Sequence, residues 1–79
     1  MTVRDFQAMD ELGQGKALLK GTFLESRKEV GYKVSLYAVG NIYVEVFYSE
    51  VLNEIFQLVP FSSVTKLEPY LNNLKLENL

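Results

Sequence analysis

The clearest signal in the chain is alternation. Between Tyr32 and Val39, Tyr32, Val34, Leu36 and Ala38 alternate with Lys33, Ser35 and Tyr37, which is the period of a strand with one face buried. After Gly40-Asn41 the run Ile42-Tyr43-Val44-Glu45-Val46-Phe47-Tyr48 is almost wholly β-branched or aromatic and predicts a second strand. Ala17 to Leu24 reads as an earlier strand. It runs into the charged stretch Glu25-Ser26-Arg27-Lys28-Glu29, which begins as strand and ends as a solvated turn. Glu54 to Val59 reads as a fourth strand, ended by Pro60.

At each end the period changes to that of a helix. Val3, Phe6, Met9 and Leu12 form an apolar stripe over residues 2–12, with Thr2 and Asp5 placed as a capping pair and Gly13 as a stop. Near the other end, Val64, Leu67, Leu71 and Leu74 form a second stripe. Thr65 and Glu68 fit a capping box there, and Pro69 pushes the start of regular helix toward Glu68. The expected fold is α+β: a four-stranded antiparallel β-meander with a short N-terminal helix and a C-terminal helix packed on the sheet, all in one domain over residues 1–79.

Parity then suggests a register. A two-residue turn at Gly40-Asn41 mixes apolar and polar side chains on both faces, whereas a three-residue connection, Val39-Gly40-Asn41, sorts them. One dry face results: Tyr32, Val34, Leu36 and Ala38 beside Ile42, Val44, Val46 and Tyr48. A five-residue loop over 49–53 adds Phe56 and Leu58 to it. The other face is half apolar, with Tyr37, Tyr43, Phe47, Ile55 and Val59 around Lys33, Ser35, Glu45 and Gln57.

Composition narrows the chemistry. The 79 residues include no cysteine and no histidine, so disulfides, thiolate metal sites and Ser–His or Cys–His catalysis are excluded. Eight basic and ten acidic residues give a net charge of −2, without the basic excess that phosphate binding requires. No apolar run approaches the roughly 18 residues of a membrane span, and the N-terminus turns polar too early for a secretory signal. A cytoplasmic protein with no membrane or nucleic-acid partner is expected.

Three features invite a functional reading. Gly13-Gln14-Gly15-Lys16 has the wrong spacing for a phosphate loop and lacks the following Ser or Thr, so it reads as a turn from helix to strand. Tyr37, Tyr43 and Phe47 outline a stacking platform, but with only Lys33 as a basic neighbour they suit packing or an interface better than bases. Glu45, alone among the carboxylates, is flanked by apolar residues in a strand. It is expected to face outward, paired with Lys33, Ser35 or Gln57, or else to contact a ligand or a partner.

The stretch Tyr32-Lys33-Val34-Ser35-Leu36-Tyr37-Ala38, with Tyr43-Val44-Glu45-Val46-Phe47-Tyr48 and Tyr70-Leu71, resembles short bacterial proteins of unassigned function. The resemblance implies a shared fold and transfers no catalytic or binding residue. A chain this small without covalent staples needs a dense core or a partner. The leading expectation is therefore a non-enzymatic interaction module that self-associates as a homodimer. Its candidate interaction face is Lys33, Tyr37, Tyr43, Glu45, Phe47 and Gln57. No catalytic, cofactor-binding or metal-ligating residue is assigned, and no cofactor is expected. The alternative is a small-ligand pocket, possibly catalytic, between the sheet and a terminal helix.

Overall fold

The computed structural model describes residues 1–70. Helices α1 (Val3–Ala8) and α2 (Glu11–Lys20) precede four strands, β1 (Thr22–Glu29), β2 (Tyr32–Val39), β3 (Ile42–Ser49) and β4 (Glu54–Phe61), and a 3-10 segment (Val64–Tyr70) follows. The strands form one antiparallel sheet in the order β1-β2-β3-β4, the expected meander in an α+β fold. No described helix is long and apolar enough to cross a membrane.

The N-terminal helix is two helices. Thr2 caps α1 in a capping box with Asp5, as its spacing predicts. The chain then breaks at Met9-Asp10, and the Asp10 carboxylate accepts the Gly13 amide at 2.8 Å to start α2. That second cap offsets the low helix propensity of Gly13 and Gly15, so both glycines lie inside α2 and neither ends a helix. Ala17 to Lys20, expected as strand, belongs to the same helix. The Gly13-Gln14-Gly15-Lys16 segment is thus helical, with no turn in it.

The hairpin register also differs from the parity expectation. Val39 pairs with Ile42 across a two-residue turn, so Leu36 lies opposite Glu45 and Val34 opposite Phe47. Gly40 takes φ +61 at the first turn position, the glycine-first geometry that suits a two-residue hairpin. The front face of the sheet carries Tyr37, Val39, Ile42, Val44 and Val46; the back face carries Val34, Leu36, Tyr43, Glu45 and Phe47. The single dry face from Tyr32 to Tyr48 therefore does not exist. The parity argument assumed that only one face is covered, whereas this sheet has a cover on each.

On the front, α1 and α2 bury Phe6, Val39, Ile42 and Val44, with Ala17, Leu18 and Leu58 packed around them. On the back, the 3-10 segment crosses toward β1 and closes a second cluster of Leu36, Phe61 and Tyr70, with Leu24 and Leu67 beside it. The loop from β3 to β4 is four residues, with Ser49 opposite Glu54. A bulge then leaves Phe56 as an extra residue in β4, between the pairs Phe47–Gln57 and Tyr48–Ile55. Phe56 consequently packs with Tyr32 and Phe47 on the back, while Leu58 goes to the front. Sequence parity had placed the two together.

Two boundaries shift for clear reasons. The charged stretch Glu25–Glu29 stays strand to its end, because Arg27 and Glu29 pair with Val34 and Tyr32. Pro60 does not stop β4, which runs to Phe61 as an edge strand that can present a nitrogen without a proton to open space. The C-terminal helix appears within the described residues as the 3-10 segment containing Pro69. Thr65 lies inside it, and its amide is accepted by Ser63 Oγ at 3.3 Å. Leu71 and Leu74, the rest of the expected stripe, lie outside the described residues.

Candidate functional site

Glu45 sits in central strand β3 on the back face, opposite Leu36 on one side and Val59 on the other. With apolar neighbours on both flanking strands it has no access to water from within the sheet, and it is only 8% exposed. A buried carboxylate needs a cation and hydrogen-bond donors, and both converge on one oxygen. Arg27 reaches across β2 to Glu45 Oε2 at 3.3 Å, and the Tyr70 hydroxyl donates to the same oxygen at 2.7 Å. The guanidinium also lies over the Tyr70 ring, 5.4 Å from its centre, and forms an ion pair with Glu29. A carboxylate, a guanidinium and a phenol from β3, β1 and the 3-10 segment thus form one network.

Its electrostatics argue against acid–base work. Burial, then the hydrogen bond to Glu45, pushes the Tyr70 hydroxyl up to about 12. That moves it further from neutrality, away from the range in which a general acid or base is effective. The network clamps the 3-10 segment to the sheet. Among the described residues no group of three carboxylates is placed to hold a metal ion.

The open part of the front face offers a second candidate. Helix α2 rests on the sheet through Ala17 and Leu18, leaving Leu12 and Leu19 68% and 87% exposed on its other sides. Between helix and sheet lies an open cleft of about 600 Å³, lined by Leu12, Leu18, Leu19, Phe23, Tyr37 and Ile55, with Glu11 and Lys16 at its rim. The lining is mainly apolar with few polar groups, the make-up of a docking or ligand surface. Phe23 packs edge-on against Tyr37 with ring centres 5.6 Å apart, so the floor of the cleft is aromatic.

The residues of the expected interaction face are divided between the two sides. Lys33 and Tyr37 lie on the front, beside Tyr48 and Val44 respectively. Tyr43, Glu45, Phe47 and Gln57 lie on the back. Tyr43 stacks on Phe61, Glu45 enters the clamp, and Phe47 joins Tyr32 and Phe56 in an aromatic cluster near the far end of the sheet. Sequence reasoning missed Arg27, Tyr70, Leu12, Leu19 and Phe23. The signal for Arg27 was Glu45 itself, since a carboxylate in a buried strand demands a cation on the same face. Leu19 carried a weaker signal, because beside Ala17 and Leu18 it falls off the stripe that a single-sided helix would show.

Searches against protein-family models, curated proteins and solved structures return no match to this chain, so the reading of the site rests on its geometry.

Proposed function

We propose that this chain is a small non-enzymatic interaction module that self-associates through apolar side chains exposed around its sheet and α2. The observation that supports this most directly is the number of large apolar side chains left in solvent. Leu12, Leu19, Phe23, Ile55 and Phe56 are all more than half exposed, and several border one cleft. Exposure of that kind on a small domain suits a contact surface, since it costs free energy when left in water. The polar groups around it have both signs: Glu11 and Lys16 at one side, Lys33 and Glu50 at the other. A surface with mixed charges can meet its own copy around a two-fold axis without opposing like charges.

Light scattering coupled to size-exclusion chromatography tests the proposal. A species of about 18 kDa, twice the 9.0 kDa chain, is expected at high micromolar concentration. A monomer throughout that range overturns it. The cleft beside α2 supports a second reading, a pocket for an apolar small molecule. Saturable binding of a fluorescent apolar probe, lost in Leu12→Lys or Phe23→Lys while the mass stays that of a monomer, would favour that reading.

A further inference from the structure

From the contrast between the two edges of the sheet we infer that β4 pairs with β4 of a second copy, joining two four-stranded sheets into one antiparallel sheet of eight. This rests on the self-association proposed above and names its surface.

Among the described residues both β1 and β4 are edge strands, and each presents unpaired backbone groups. Strand β1 is defended by charge: Glu25, Arg27, Lys28 and Glu29 fill half of it, whereas its bulge at Leu24 has a counterpart in β4 at Phe56. Strand β4 has a single charge, Glu54, at its first position, and Glu54 to Gln57 are all exposed. Pro60, which has no proton to donate to β3, orients its nitrogen to the free side and removes only one donor from that edge.

Face and charge together select the register. Opposed residues in an antiparallel pair must share a face. Glu54, Gln57, Val59 and Phe61 belong to the back, and Ile55, Leu58 and Pro60 to the front, with Phe56 set aside by the bulge. Full overlap about a two-fold axis at Leu58 satisfies this at every position. It sets Gln57 opposite Val59, Ile55 opposite Pro60, and Glu54 opposite Phe61 of the second copy. Lys66 Nζ lies over the Phe61 ring, 5.9 Å from its centre. Each Glu54 therefore arrives beside the other copy's Lys66, twice per dimer. Neither residue has an ion-pair partner among the described residues of its own chain. The only charge on β4 thus finds its opposite when a second copy supplies the neighbouring strand.

The chain contains no cysteine, which permits a direct test. In a Gln57→Cys/Val59→Cys variant, each cysteine would face the other type across the axis. Opposed Cα atoms in such a ladder are about 4.5–5.5 Å apart, within the roughly 4.4–6.8 Å that a disulfide spans. Mild oxidation should give a covalent dimer, and Ser26→Cys/Lys28→Cys on β1 should not. Separately, Glu54→Lys should weaken dimerisation about tenfold, and adding Lys66→Glu should restore it. Both substitutions are at exposed positions, so they test the register even if the cysteine pair disturbs the fold. If the unmodified chain dimerises but the β4 cysteines do not cross-link and the charge swap has no effect, the β4 register is wrong and self-association stands. A monomeric unmodified chain overturns the proposed function, and the β4 pairing with it.

Discussion

The two ends of the sheet are built from similar residues and reach opposite outcomes. At the Gly40-Asn41 end, Phe6, Val39 and Ile42 on the front and Leu36, Phe61 and Tyr70 on the back are all 5% exposed or less. At the other end, Val30, Val51, Leu52, Ile55 and Phe56 are between 51% and 100% exposed. The covered end has a layer on each face: two helices in front and the 3-10 segment behind. The open end has neither among the described residues. Strand composition does not explain the difference, since Ile55 and Phe56 suit a core as well as Ile42 and Phe61 do. The position of the covering elements explains it, and the Arg27–Glu45–Tyr70 clamp fixes how far along the back that cover reaches.

The largest expected effect comes from emptying the covered end. Phe6→Ala should cost about 3–5 kcal/mol in urea unfolding, because its ring is wholly buried among Val39, Ile42 and Val44. Phe56→Ala at the open end should cost about 1 kcal/mol or less in the monomer. Equal losses from the two would break the comparison.

Next come the charged pairs. Arg27→Ala should cost about 2 kcal/mol, because it leaves Glu45 buried with only Tyr70 beside it, tempered by the partial exposure of the guanidinium. Lys28→Ala removes the solvent-exposed pair with Glu50 at the open end and should change stability by less than about 0.5 kcal/mol.

Glycines sharpen the contrast further. A Cβ at Gly21 would sit 2.6 Å from the Ala38 carbonyl oxygen, so Gly21→Ala should cost about 1–3 kcal/mol by forcing α2 away from β2. Nothing lies within 4 Å of such an atom at Gly15, so Gly15→Ala should stabilise α2 by about 0.5–1 kcal/mol. Thermal midpoints of the two variants should move in opposite directions.

A last effect is confined to high pH. Tyr70 titrates near 10 when unfolded, and folding raises it to about 12, so the folded state holds that proton more tightly. The stability this confers is complete below pH 10 and is lost as pH rises through 12. Tyr70→Phe should flatten that part of the stability profile relative to the unmodified chain. An unchanged profile would mean that the phenol is not buried against Glu45.

Local patterning revealed the existence of the strands because alternation and β-branching need no partner to be visible. Tyr32 to Tyr48 shows this plainly. The break at Met9-Asp10 was also legible in principle: Asp10 stands three residues before Gly13 with Glu11 behind it, a capping pattern hidden by the apolar stripe that runs through Met9. The register was not legible. Parity gives one answer when water covers one face and another when both faces are packed, and nothing within Tyr32 to Tyr48 says which applies. For the same reason the expected site fell apart into a front pair and a back group of four. Glu45 stood out among the carboxylates but was expected to face outward beside Lys33, Ser35 or Gln57; it is buried instead, and its partners lie 18 and 25 residues away in sequence.

By itself, then, the sequence determined four strands in a meander, with the first begun too early at Ala17, the cap at Thr2 and the chemistry excluded by the absence of cysteine and histidine. All of these depend on composition or on neighbours a few residues apart. The tertiary structure alone decided which residues share a face, where Glu45 finds its cation and which end of the sheet stays open. Those depend on elements distant in the chain, whose burial free energy is settled only when two helices and a 3-10 segment compete for the faces of one small sheet.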